Sequence, residues 1–206
     1  TCAHQAERLG PHLSREDLAA WSSGLLALTG GPEGRLDTLV RQGETAQARR
    51  WLACLGEIFP DALYVELAHR MLPGDGAALA RVRDLACQVR LPVVASNAVR
   101  YARAEGLALY DALTCVRLGI TVGDPHPQRP ANDQAFLCDE AELRRRIPFP
   151  EALERTEEVA ARCRVELLAG EVIPPTAQLP EGFSAKEHLR NLCEHGLPRL
   201  YTPDAR

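Results

Sequence analysis

Two rhythms of apolar residues alternate along the first half of the chain. Short unbroken runs stand at residues 25–29, 63–67 and 91–97. Between them, apolar residues recur every three or four positions. Unbroken runs bounded by Gly and Pro predict strands buried on both faces, and the longer spacing predicts amphipathic helices. Residues 44–59 carry Ala48, Leu52, Leu55 and Phe59 on one helical face; residues 78–89 carry Leu79, Val82, Ala86 and Val89. Ser14, followed three positions on by Asp17, predicts a capped helix that stops near Gly24. Strands and helices therefore alternate. That order predicts an α/β fold with a parallel sheet or barrel and right-handed crossovers. Three strands make a thin domain of this class, so either the sheet is small and open or further strands precede Thr1.

Beyond residue 105 the pattern becomes helices and loops. Residues 107–118 read as a helix closed by Gly119. Pro125, Pro127 and Pro130 mark a stiff, non-helical connection. Residues 139–147 predict a short capped helix, and Pro150 opens another that reaches Cys163. The three prolines within residues 172–182 predict an extended linker. Ser184 and Glu187 form a capping box for a last helix, predicted to end at Gly196.

Composition narrows the class. With 206 residues, 46% hydrophobic and 25% charged, the chain can bury a real core, which excludes disordered and coiled-coil classes. A net charge of −4 does not announce a nucleic-acid surface, although it leaves room for local basic patches. Lys186 is the only lysine among 24 basic residues. This reads as a coding bias towards Arg, with phosphate binding by guanidinium forks as the functional alternative. The seven cysteines include no C-x-x-C spacing, which argues against a zinc ribbon and for buried free thiols in a reducing cytoplasm. No apolar run approaches the roughly 20 residues of a membrane span.

Ligands on parallel α/β folds sit at the C-terminal ends of the strands. The first strand ends in a glycine-rich turn, residues 30–34, which lacks the Lys and Ser/Thr of a phosphate loop and reads as a plain tight turn. The second ends at Glu66, with His69 three residues on: a metal-ligand pair, or a satisfied polar pair at the rim. The third ends Asn97-Ala98-Val99-Arg100, where no carboxylate or histidine stands. His188 and His195 are two turns apart on the last helix, about 10 Å, too far to share a metal. Glu151, Glu154, Glu157 and Glu158, interleaved with Arg155 and Arg162, read as a solvated ion-paired face. Arg144, Arg145 and Arg146 form the densest basic run, a helix end that is either solvated or a contact for DNA or a partner.

Six stretches, in order and in register, resemble bacterial DNA polymerase III α subunits, the C-family polymerases. They are residues 24–34, residues 59–67 ending Leu-Tyr-Val-Glu-Leu, residues 91–101, residues 111–119, residues 152–163 and residues 180–201. The error-prone, translesion branch is the one they resemble best. The resemblance implies that residues 1–105 are the C-terminal half of a PHP domain, a seven-stranded β/α barrel. It implies that residues 106–206 are a helical connection leading into the polymerase core. The palm, with its catalytic Mg, would then lie beyond Arg206, so this segment would hold no cofactor and would not polymerise alone. The implied partners are the rest of the polymerase polypeptide, DNA and dNTP for the whole enzyme, and replication or repair accessory proteins, all in the cytoplasm and none in a membrane.

The departures from the family pattern are chemical. Metal-binding members end the first of these strands in Ser-Gly-Cys and the third in Asn-Asp-x-His-Tyr, with Cys, Asp and His as ligands. Gly31, Ala98 and Arg100 occupy those positions here. None offers a donor suited to a divalent metal, and Arg100 brings a cation instead. The expectation is a metal-free structural scaffold. The alternatives are an active metal-dependent PHP phosphoesterase or proofreading nuclease, which these positions argue against, and a stand-alone helical adaptor.

Overall fold

The three apolar runs form one parallel sheet. Its strands are β1 (Ala27–Leu28), β2 (Leu63–Ala68) and β3 (Val93–Ser96), in spatial order β1-β2-β3. Ala27 pairs with Leu63, and Val65 with Val93, so all three strands end on the same edge. The computed structural model describes residues 13–165, 170 and 179–200. The chain divides into two compact units, Thr1–Arg164 and Val165–Arg206. The expected linker at residues 172–182 lies largely outside the described residues.

Among the described residues of the first unit the α-helices are α1 (Arg15–Ala20), α2 (Arg35–Arg41), α3 (Thr45–Ile58), α4 (Asp75–Gln88), α5 (Leu107–Leu118), α6 (Glu140–Arg146) and α7 (Pro150–Arg162). Strand residues alternate between faces. Val65, Leu67, Val93 and Ala95 therefore share one face, and a single apolar cluster joins them to Leu36 of α2, Leu52 of α3, Val82 of α4 and Leu153 of α7. Caps stand where the polar residues placed them. Ser14 Oγ accepts from the Asp17 N–H at 3.0 Å, and Asp139 Oδ1 from the Glu142 N–H at 2.8 Å. Gly119 closes α5 with φ of +68°. No described helix is long and apolar enough to cross a membrane.

Several expectations fail for physical reasons. β1 is two residues long and is not buried on both faces: Leu28 is 42% exposed, because nothing among the described residues covers the outer edge of the sheet. α1 ends at Ala20, well short of Gly24. α2 follows the glycine-rich turn at residues 30–34 and was not predicted, although Leu36, Leu39 and Val40 have helical spacing and are all buried. Gly34 makes that entry possible, since a Cβ there would stand 2.4 Å from the Thr29 carbonyl oxygen. Of the cysteines, Cys115 is buried as expected, but Cys87, Cys163 and Cys193 are exposed. The glutamate face of α7 is not merely solvated. Tyr64, on β2, donates to Glu158 at 2.8 Å, and Arg162 lies over its ring.

In the second unit α8 (Ala185–Leu200) starts with the predicted capping box: the Ser184 N–H donates to Glu187 at 3.0 Å, and Ser184 Oγ accepts from the Glu187 N–H at 3.3 Å. Gly196 does not end this helix. A glycine inside a helix costs about 1 kcal/mol relative to Ala, which weakens a turn without breaking it.

The loop from β2 to α4 turns around one buried carboxylate. Asp75 is 2% exposed. Its Oδ2 accepts from the backbone N–H groups of Arg70 at 2.9 Å and Leu72 at 3.3 Å, and its Oδ1 from Arg41 of α2 at 2.8 Å. Burial alone would raise its carboxyl. The bonds from Arg41 and from the two amides outweigh burial and hold it below the ordinary carboxylate range. Asp37 of α2 shifts the other way, because burial outweighs the pull of Arg41 and Arg70. A lowered carboxyl stabilises the fold above its unfolded value of about 4, and that contribution is lost as pH falls through the folded value. For Asp37 the sign reverses: its contribution is present below about 4 and is lost as pH rises through the raised value. Asp75→Asn should therefore lower stability at neutral pH by about 3 kcal/mol, because Arg41 and Arg70 lose a buried counter-charge. It should also flatten the acid limb below about pH 4. Urea melts across this pH range measure both effects, and an unchanged neutral midpoint would contradict the first.

Candidate functional site

The strand ends bring together the residues that the sequence singled out, but not as ligands. Thr29 Oγ1 accepts from the Glu66 N–H at 3.0 Å, and Ser96 Oγ donates to the Glu66 carboxylate. A Cβ built on Gly31 would stand 3.5 Å from that carboxylate, so position 31 faces Glu66 across the rim. Ala98 has φ of +48°, a left-handed conformation that costs an alanine roughly 1–2 kcal/mol. Arg100 Nη2 donates to Glu33, two residues beyond Gly31, at 2.9 Å. Positions 31, 98 and 100 thus share one rim with Glu66.

Glu66 and His69 are not a pair. The Glu66 carboxylate is engaged by Ser96, and His69 Nδ1 accepts from the Met71 N–H at 3.0 Å. Among the described residues, no three His, Cys, Asp or Glu side chains converge on a common point. Asn97 faces inward instead. It donates to the Phe136 carbonyl, and its Oδ1 accepts from Arg146 Nη1 at 3.2 Å.

Arg146 is the largest correction. The helix-end triplet is not one exposed patch, because Arg146 is only 4% exposed. Its guanidinium donates to Glu142 at 2.8 Å, to the Gln134 carbonyl at 2.9 Å and to the Gln134 side chain at 2.7 Å, besides Asn97. It also lies over the Phe136 ring, 5.1 Å from the centroid. A planar fork with five donors suits such a set of acceptors. Arg144 and Arg145 do remain exposed, paired with Glu140 and Glu142 on their own helix.

A cleft that sequence reasoning missed opens beside these strand ends. It measures about 530 Å³ and is lined by Arg70, Arg100, Arg117 and Arg129, among others. Gln134 and Ala135 form one wall, and their stretch is held by backbone bonds: the Arg100 N–H donates to the Ala135 carbonyl at 2.8 Å, and the Leu137 N–H to the Tyr101 carbonyl at 3.1 Å. Arg129 is held from behind by both oxygens of Asp111, at 2.9 and 2.6 Å, and this bond keeps the Asp111 carboxyl below its ordinary range. In sequence Arg70, Arg100, Arg117 and Arg129 form no run, and Arg129 alone stands among the prolines. Spacing alone could not bring them to one cleft.

Removing Arg146 leaves Asn97 Oδ1 and the Gln134 carbonyl without their donor. Arg146→Met should therefore cost about 3 kcal/mol. Arg146→Lys should fail to restore it, because one ammonium cannot reach the same acceptors. Arg144→Gln and Arg145→Gln should leave the urea midpoint unchanged. Equal effects at all three positions would contradict this division.

The chain is similar to known proteins over nearly its whole length. It is 34% identical to the error-prone DNA polymerase of Symbiobacterium thermophilum over 196 residues, 95% of this chain and 18% of that protein. It is 32% identical to the DNA polymerase III subunit alpha of Pseudomonas aeruginosa over 186 residues, 90% of this chain and 16% of that protein. It is 31% identical to the corresponding subunit of Escherichia coli K12 over 190 residues, 91% of this chain and 16% of that protein. No protein-family model matches the chain. The chain spans less than a fifth of the length of these curated relatives. It is thus a homologue of one segment of the bacterial DNA polymerase III α subunits and error-prone DNA polymerases.

Proposed function

We propose that this chain serves within a DNA-directed DNA polymerase of the error-prone, translesion branch, as a metal-free structural element that does not polymerise by itself. The observation that carries the polymerase reading is the similarity over 95% of the chain to a protein named as an error-prone polymerase. In this reading residues 1–105 are the second half of a PHP barrel, and residues 106–206 lead into the core. The one-way strand order β1-β2-β3 supports a barrel, because each strand is added on the same side, as in wound β/α barrels. Packing continues past residue 105, with α7 against β3. The segment would brace the core of the parent enzyme, which handles DNA and dNTP in the cytoplasm with Mg at a palm outside this chain.

The residues present do not fit a PHP metal cluster. Gly31 and Ala98 have no donor side chain, and Arg100 carries a positive charge to the rim, where Glu33 neutralises it. Glu66 and His69 each have another partner. The phosphoesterase alternative therefore lacks its ligands on this side of the site. Elemental analysis of the full-length protein should find well below one equivalent of Zn or Mn, and added Mn should produce no phosphomonoesterase activity. The full-length protein should extend a primed template with dNTP and Mg, and the 206-residue chain alone should not. A stoichiometric, tightly held metal would overturn the scaffold reading, and a full-length protein that fails to extend the primer would overturn the polymerase reading.

A further inference from the structure

We infer that the arginine-lined cleft beside the strand ends binds the phosphate group of a small phosphorylated ligand. The inference rests on the cleft itself and stands apart from the polymerase and scaffold readings. Its volume of about 530 Å³ lies within the usual range for small-molecule sites, about 300–1,000 Å³. Four guanidinium groups line it, against a single lining carboxylate, Glu33.

The four arginines are not equally committed. Arg129 is locked by Asp111 and by the Asp124 carbonyl, which makes it a fixed positive wall. Arg117 has only a neutral partner among the described residues, Gln128 Oε1 at 3.4 Å. Arg70 Nε is buried with no hydrogen-bond partner, and its Nη2 reaches Asp75 only at 3.6 Å, while Asp75 is already bonded to Arg41. Arg100 is exposed, and its partner Glu33 is an exposed side chain that can swing away. Arg100 and Arg117 thus have donors to spare towards one cavity, and Arg70 adds its charge to the wall. Guanidinium forks match the paired oxygens of a phosphate, and several forks around one concave site strengthen that match. Tyr110 lines the same cleft, with its ring 5.8 Å from that of Tyr101, and offers an aromatic surface to an organic group carried by the phosphate. No donor set for a hydrolytic metal stands around the cleft among the described residues, so the chemistry it supports is binding.

The test is arginine modification by phenylglyoxal in the full-length protein, read residue by residue by peptide mass spectrometry. Probes are inorganic pyrophosphate, a deoxynucleoside monophosphate and a single-stranded oligonucleotide, each against sodium chloride at matched ionic strength. Millimolar pyrophosphate or monophosphate should slow modification of Arg100 and Arg117 at least threefold, with exposed Arg144 unaffected. Protection by pyrophosphate as well as monophosphate assigns recognition to the phosphate alone; protection by monophosphate only assigns a nucleotide. Arg117→Gln should abolish protection at Arg100 while leaving the urea midpoint unchanged. Equal protection by chloride, protection by the oligonucleotide alone, no protection, or protection of Arg100 that survives Arg117→Gln would each overturn the inference. Because the readout is local to these arginines, its failure is distinct from a loss of primer extension.

Discussion

The guanidinium of Arg146 fastens α6 and the stretch before it to the end of β3, beside the apolar packing of α7 on the sheet. α6 contributes Leu143 to the apolar core, but it also brings a charge inward. α6 and residues 134–137 are joined to the end of β3 by backbone bonds from Arg100 to Ala135 and from Leu137 to Tyr101, and by one cation with donors to Asn97, Gln134 and Glu142 and a ring beneath it. A buried charge is tolerable only when its donors are all engaged, so the arrangement is close to all-or-none. Gln134 and Ala135 line the cleft, and their position is fixed both by Arg146 and by the backbone bond from Arg100. The geometry of the site thus rests on a residue that touches none of the cleft's contents.

Asp75 does the corresponding work on the other side. It ties the backbone that follows β2 to the first turn of α4, and through Arg41 it binds α2 to both. Its carboxylate is fully used, and it therefore leaves Arg70 incompletely satisfied. The same loop that Asp75 fastens places Arg70 on the wall of the cleft. The degenerate rim fits with this. With Gly31 and Ala98 bare and Arg100 reaching Glu33, the electrostatic character of the rim is set by arginines and not by an acidic ligand cluster.

The core was legible from the chain because burial follows apolar periodicity. The runs at 63–67 and 91–97 became β2 and β3, and the faces of α3 and α4 pack where their spacing placed them. Caps were legible too, since Ser14, Asp139 and Ser184 act on backbone groups only a few residues away. The failures share a cause. β1 was read as doubly buried because its composition matches that of β2, yet burial depends on what lies beside a strand. Arg146 was grouped with Arg144 and Arg145 because adjacent residues look alike in sequence. On a helix they point in different directions, about 100° apart, and only one faces the core.

The sequence by itself determined the alternation of strands and helices, the helix caps, the missing donors at positions 31, 98 and 100, and the resemblance to a segment of a C-family polymerase. These are local or compositional properties, carried by residue type and by spacing over a turn or two. Only the tertiary structure decided that Glu66 bonds Ser96 and not His69, that Arg146 is core and not surface, and that Arg70, Arg100, Arg117 and Arg129 meet at one cleft. Those outcomes depend on contacts between residues far apart in the chain. Such contacts form when the sheet brings three strand ends to one edge, and no local pattern encodes them.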